Sequence, residues 1–530
     1  MQSKYRIIFI LSLILIMQFA LRLPFLNEPL EGDEGAYAYM GQRVLANDVP
    51  YRDFFDHKPP AVYYIYAVIL KLLGQTIFSI RFATAVLGLL TAFFVFLAGR
   101  ELFSETFGLI SAFLYALFSG GPLIDGAGSN TEAFMILFLM TAFYFFAAHK
   151  NSAWRLFLCG LFSGLAFMTK QVAMFNFLVL LAFAIVEERN PHPLTPSPIG
   201  RGRIPICNPF RLTWVRAFIV LLFGFLIVPA GFALYFFLNN GLIDFVEDAF
   251  LFNFGYVQTS FDLFSLYRTA QIALYENSII WLLGAAGMVY IIIKEKTSKY
   301  WLLVVWFIAS MLGVFSGGFF FSHYYIQVIP ALCLLSGVAI MKWQERGLPK
   351  FYNIMAVFFL LLLMLPVAIY QFPFYFLYSP EQISIDKYGH NEMIMAKLAS
   401  EKIIKKERVE GEAILVKYFP QIYFYTRGIY PGKYFHIPTR GGMEAKLSIC
   451  GREIYAKTFP FNRITKDIWT PECLESLKIL KDPKTKLVID LIPEHEKDKR
   501  IPEIEKYGYK YSAELSEGDC RVFKRIKSGR

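Results

Sequence analysis

Apolar residues in this chain fall in long uninterrupted blocks rather than at strand or helical-face spacing. Runs at 7–26, 78–99, 130–148, 216–238 and 351–371 have the ~17–25 residue length that carries a helix across the hydrocarbon of a bilayer. Further apolar runs at 107–123, 154–170, 172–187, 278–293, 300–316 and 322–341 bring the expected spans to about eleven. The stretch 154–187 also reads as one long tilted helix. Residues 59–73 are apolar but short and carry Lys71, which suits a helix lying at the membrane interface. The first run starts with Lys4 and Arg6 and is followed by Arg22-Leu23-Pro24-Phe25 without a small-residue cleavage site. It is therefore expected to be the first span and not a cleaved signal.

Polar positions divide the chain into 1–371, a transmembrane domain, and 372–530, a soluble domain. The fold class expected is mainly α, a polytopic transmembrane helical bundle with a C-terminal extracytoplasmic α/β domain. Within the first part, residues 27–77 form a long outer loop. Residues 188–213, rich in Pro and Gly, read as a cytoplasmic linker. In the second part, 412–419 and 486–492 read as buried strands, Thr470-Pro471-Glu472 as a helix start, and 509–526 as a hairpin turning at Gly518. Any disulfide is expected among Cys450, Cys473 and Cys520, with the pairing open.

Composition agrees with this division. The chain is 56% hydrophobic, 18% aromatic and only 18% charged, with a mean hydropathy of +0.44. The net charge of +11 does not indicate a nucleic-acid partner, because the bases sort by membrane face. Arg100, Lys150, Arg155, Arg189, Arg201, Arg203, Arg211, Arg216, Lys294, Lys296, Lys299, Lys342, Arg346 and Lys350 share one face with the N-terminus. The positive-inside bias makes that face cytoplasmic. An inside start and an odd number of crossings put 372–530 outside the cytoplasm.

The outer loop holds the densest chemistry. Seven acids fall between Glu28 and Asp56, far more than a bare connector needs. Residues 36–46 suit a short helix on the bilayer surface. The pair Asp33–Glu34 has the character of a general base or of a divalent-cation ligand, or of two solvated loop acids. His57-Lys58-Pro59-Pro60 puts a cation in front of rigid prolines, suited to a phosphate at headgroup depth, or to a lysine snorkelling from a helix end. Arg81 and Lys170 lie in or beside apolar runs, where charge is costly and tends to be functional. Glu132 opens the fourth span, where a helix dipole favours an acid. His323 and Tyr324 enter the tenth span as interfacial rings. No Walker motif, GxGxxG or DxD occurs, which directs attention to an activated donor carried by the membrane itself.

Arg22-Leu23-Pro24, Asp33-Glu34 with Tyr37, PYRDFFDHKPP at 50–60, Arg81, GLFSGLAFMTKQ at 160–171 and HYYIQVIP at 323–330 follow one another in an order that resembles the polyprenyl-phosphate-dependent membrane glycosyltransferases of the C-type superfamily. The similar groups are bacterial relatives of protein O-mannosyltransferases, the lipid A aminoarabinose transferase and the transferases of rhizobial lipopolysaccharide cores. The resemblance implies a polyprenyl-phosphate sugar donor and a lipid, glycan or protein acceptor at the cell (inner) membrane. It implies Asp33 as catalytic base with Glu34 assisting, and Lys58, His57, Arg81 and Lys170 as ligands of the donor phosphate. Glu132, Tyr37, His323 and Tyr324 would face the acceptor. Gly35-Ala36 stands where the aminoarabinose transferase has a basic residue after its acidic pair, and His57 where it has an acid. These departures leave the sugar and any metal open. A lipid flippase or transporter, a non-catalytic assembly protein, and a ligase using a pyrophosphate-linked donor remain the competing readings.

Overall fold

The computed structural model describes residues 2–150, 152–189, 214–257, 263–389, 392–416, 419–433, 475, 478–492 and 497–526. The 188–213 linker (save Glu188 and Arg189), the Thr470 helix start, Cys450 and Cys473 lie outside them. Each of the eleven expected apolar stretches falls on a helix. These helices are α1 (Gln2–Ala20), α4 (Ile77–Leu102), α5 (Glu105–Phe118), α6 (Thr131–Ala147), α7 (Ala153–Phe167), α8 (Ala173–Arg189), α9 (Trp214–Leu238), α13 (Ser278–Lys294), α14 (Ser298–Ser316), α15 (Ile329–Glu345) and α16 (Lys350–Phe376).

Among the described residues, six helices are long and apolar enough to cross a membrane unaided. Two short helices, α10 (Leu242–Val246) and α11 (Phe252–Val257), follow α9, and a seventh crossing would join α12 (Leu263–Glu276) to α13, bent by 90°. Helices α5 to α8 are shorter. The fifteen residues of α7 extend only about 22 Å, less than the ~30 Å hydrocarbon layer. The stretch 154–187 is not one helix: α7 ends at Phe167 and α8 begins at Ala173, with Lys170 in the break. Lys170 leaves the helical path there to meet Glu132 of α6.

Glycines bring some of these helices into backbone contact. A Cβ at Gly160 or Gly164 of α7 would collide with the carbonyl of Leu221 or Phe225 on α9, and one at Gly287 of α13 with that of Leu335 on α15. The four-residue spacing of Gly160 and Gly164 is the small-residue pattern that lets membrane helices approach closely.

Residues 27–77 fold into two helices, α2 (Gly32–Leu45) and α3 (Ala61–Leu73). Helix α3 buries Val62, Tyr63 and Tyr66 and exposes Val68 and Leu72. Helix α2 departs from the expected surface position. Eight consecutive residues, Glu34 to Gly41, are buried. The helix is sandwiched between α3, where Gly41 meets Tyr66, and the C-terminal α19 (Gln421–Thr426), where Gly35 meets Gln421. Tyr39 stacks on Tyr423 at 4.8 Å and its hydroxyl accepts the Tyr430 N–H. An apolar-poor helix stays off the lipid because protein covers both of its sides.

The C-terminal part begins with α17 (Pro380–Tyr388) and α18 (Glu392–Lys406) and continues into a four-stranded sheet of order β1-β2-β4-β3. Strands β1 (Ile414–Val416) and β2 (Leu487–Leu491) are parallel, while β4 (Cys520–Arg525) runs antiparallel to both β2 and β3 (Tyr509–Tyr511). The expected strands and hairpin are present, with Gly518 in the left-handed region at φ +53°, where glycine is unstrained. Cys520 is a buried thiol in β4. One apolar core joins Tyr37, Met40 and Tyr66 of the outer loop to Ile422, Ile489 and Phe523 of the C-terminal part.

Replacing Gly160 with leucine is expected to force α7 from α9 at a cost of about 1–3 kcal/mol, read as a lowered unfolding temperature in detergent; an unchanged temperature would refute backbone contact at this crossing.

Candidate functional site

The N-terminus of α2 is set by a reciprocal cap. The Glu31 carboxylate accepts the Asp33 N–H at 2.8 Å, and the Glu34 carboxylate accepts the Glu31 N–H at 2.9 Å. Acids in a first helical turn are also favoured by the helix dipole. Successive helical residues point about 100° apart, so the two acids of the Asp33–Glu34 pair serve different surroundings.

Glu34 turns inward. Its two oxygens meet the Arg81 guanidinium at 2.6 and 2.7 Å, and the Ser129 N–H donates to it. Both side chains are sealed, at 1% and 0% exposure. Arg81 also donates to the Ala127 carbonyl and stands 3.9 Å from Glu28. Glu34 and Arg81 thus take each other as partners inside the protein.

Asp33 alone of the pair is partly exposed. Its charge is felt at Tyr37, His57, Lys170 and His323. Lys170 is ion-paired with Glu132, its ammonium lies 4.0 Å from the centre of the Tyr324 ring, and His323 Nε2 is 3.8 Å from Glu132. Lys58 acts electrostatically on both Glu132 and Lys170. The structure thus gathers Asp33, Tyr37, Lys58, Glu132, Lys170, His323 and Tyr324 at one end of the bundle. Burial pushes the Tyr37 hydroxyl well above its usual range, with Asp33 adding to the effect, so it stays a neutral hydroxyl.

The loop carrying Lys58 is pinned by its backbone. The Lys58 carbonyl accepts from the Tyr51 hydroxyl at 2.6 Å and the Tyr63 hydroxyl at 3.0 Å. The His57 carbonyl accepts from Gln171 at 3.1 Å and Asn253 at 2.8 Å. Asp56 is buried and accepts from the His57 backbone N–H and the Tyr63 hydroxyl, with the His57 ring Nδ1 at 3.0 Å. Burial, reinforced by Lys58, lowers the His57 pKa to about 4 against the opposing pull of Asp56. His57 is therefore neutral at pH 7.

Sequence reasoning passed over Asp56, Glu28, Asp125 and Lys387. Lys387 of α17 is buried against Glu28 at 2.8 and 3.0 Å and Asp125 at 2.6 Å. Asp56 stood inside a recognised motif, whereas nothing in the local sequence marks Lys387. Among the described residues, no three His, Cys, Asp or Glu side chains form a group able to hold a metal ion.

Residues 57–199 match the family model for dolichyl-phosphate-mannose-protein mannosyltransferases. The structure is similar to ArnT from Cupriavidus metallidurans bound to undecaprenyl phosphate, at 16% identity and TM-score 0.63 over 99% of both chains. It is also similar to the archaeal oligosaccharyltransferase AglB from Archaeoglobus fulgidus in complex with an inhibitory peptide and a dolichol-phosphate. That match has 15% identity and TM-score 0.55 over 99% of this chain and 74% of the other. No curated protein sequence matches the chain significantly.

Two outcomes follow from the geometry. Glu34→Gln leaves the buried Arg81 without its carboxylate and should cost about 3–5 kcal/mol in detergent unfolding. For His57 the folded pKa lies below the usual 6.5, so its stabilising contribution is complete above about pH 6.5 and is lost as pH falls toward 4. His57→Gln should therefore narrow the difference in unfolding temperature between pH 7 and pH 4.5; an identical difference would refute the buried neutral ring.

Proposed function

From the fold this chain shares with the C-type membrane glycosyltransferases, we propose that it is an inverting glycosyltransferase of the cell (inner) membrane. It moves a hexose or pentose from a polyprenyl-phosphate donor to a hydroxyl of a lipid, glycan or protein at the outer face. The observation that carries this reading is the partly exposed Asp33 within electrostatic reach of two lysines, Lys170 directly and Lys58 through their common neighbour Glu132. The dolichyl-phosphate-mannose family match over 57–199, which begins at the Lys58 loop, supports the same chemistry.

In this mechanism the Asp33 carboxylate takes the proton of the acceptor hydroxyl. The acceptor oxygen then attacks the anomeric carbon from the face opposite the phosphate. The bond from that carbon to the phosphate oxygen breaks, and the lipid phosphate leaves with the electron pair. Charge grows on the departing phosphate, and Lys58 and Lys170 stabilise it from fixed positions. Glu132 holds Lys170 in place, and His323 stands 3.8 Å from Glu132. The backbone pinning of His57 and Lys58 means the lysine loop needs little reorganisation at the moment of transfer.

The two ends of the bundle support an orientation. Glu101 with Lys150, Lys299 over Phe103, and Lys342 with Glu295 gather the basic turns at the end away from Asp33. In the proposed topology that end and the N-terminus are cytoplasmic, 1–371 is the membrane domain and 372–530 is extracytoplasmic. Donor lipid would then present its phosphate at the depth of Asp33 and Lys58.

In proteoliposomes supplied with a mixed pool of radiolabelled polyprenyl-phosphate sugars and membrane acceptors, the wild type should move label from carrier to acceptor. Asp33→Asn should slow transfer about 10²–10⁴-fold. Transfer at the wild-type rate by this variant would remove Asp33 from the mechanism.

A further inference from the structure

Lys387 is the penultimate residue of α17, the first helix beyond the last membrane helix, yet its side chain is 1% exposed. Its ammonium binds both oxygens of Glu28 and one of Asp125. Glu28 stands 3.9 Å from Arg81, and Arg81 grips Glu34 with two contacts. Glu34 is the neighbour of Asp33 and closes the cap that starts α2. Five buried charges therefore run without a gap from the C-terminal part to the first turn of α2. Burial opposes the charge of Lys387, but Asp125 and Glu28 outweigh it and raise the ammonium above its usual range.

We propose that Lys387 is a positioning residue for glycosyl transfer, holding the Glu28–Arg81–Glu34 array so that the first turn of α2 presents Asp33 to the reacting hydroxyl. The inference rests on the proposed function, with Asp33 as base.

The charge count explains why a lysine is needed. Glu28, Glu34 and Asp125 face Arg81 and Lys387, three anions against two cations. An isosteric apolar side chain would leave three buried carboxylates sharing one guanidinium, and an unpaired buried charge is strongly destabilising. Arg81, already near Glu28, would be drawn from Glu34. Loss of that grip loosens the Glu31–Glu34 cap and adds uncompensated negative charge behind Asp33. The groups around Lys387 are Glu28, Asp125 and Arg81, with the buried Glu276 of α12 within electrostatic reach, Tyr388 on its own helix and the Phe25 ring at 5.8 Å. Those around Asp33 are Glu31, which caps α2, Glu34 on α2, Tyr37, His57, Tyr66, Lys170 and His323, and beyond them Asp56, Lys58 and Glu132.

The test uses the full-length protein in proteoliposomes with the radiolabelled lipid-phosphate sugar pool, and normalises every rate to folded protein. Lys387→Met should lower kcat about 10–100-fold, the scale of a small misplacement, with KM for the donor changed by less than about twofold. Its acid limb in kcat/KM should move to higher pH, because the base then sits among more negative charge. Lys387→Met combined with Asp125→Asn rebalances the array and should return the limb toward wild type and recover much of kcat. If the single variant does not fold, the double variant and Lys387→Arg, which keeps the charge, carry the test through the same limb. Reduced yield of folded protein with an unmoved limb and unchanged kcat would overturn the proposal. An inactive Asp33→Asn beside a wild-type-like Lys387→Met would sink this inference alone, whereas a fully active Asp33→Asn would sink the base assignment beneath it.

Discussion

The ion pair between Arg81 and Glu34 is the constraint on which the rest of the site depends. A guanidinium on a membrane helix is tolerable only with a partner that meets it squarely, and Glu34 supplies two contacts in a fork geometry. To do so, α2 must start at a fixed place beside α4, and its first turn must face inward at Glu34. Asp33, one residue earlier, points about 100° away and stays partly exposed. The pair reads in sequence as two like acids, yet one is sealed on Arg81 and the other is not.

A second constraint is the covering of α2. This helix is too polar for lipid and too buried for a solvated loop, and it is stable because α3 and α19 enclose it. The stacking of Tyr39 on Tyr423 and the Arg43 hydrogen bond to the Gly432 carbonyl tie the outer loop to the C-terminal part. The Phe55 N–H donates to the Lys433 carbonyl, so the loop bearing Lys58 is held by the same part. The C-terminal region thus belongs to the framework of the site and is not an appended module.

Burial within the protein also changes which charges count. His57 and Lys58 are neighbours in one motif, but packing makes the ring neutral at pH 7 and leaves the lysine partly exposed. Lys170 gains its place from Glu132 and the Tyr324 ring, an arrangement assembled from three separate segments of the chain. Each of these groups is set by contacts distant in sequence.

The sequence by itself determined the helical stretches, the strands expected within 412–419 and 486–492 and found at 414–416 and 487–491, and the two motifs that carry Asp33 and Lys58. These properties are local: apolar run length and alternation are imposed on each segment by lipid or by its own sheet. Only the tertiary structure decided that α2 is enclosed, that Glu34 and Arg81 are spent on each other, and that Lys387 enters the array from 359 residues beyond Glu28. A buried charge takes its role from the partner that neutralises it, and that partner is chosen by the fold, not by the neighbouring residues of the chain.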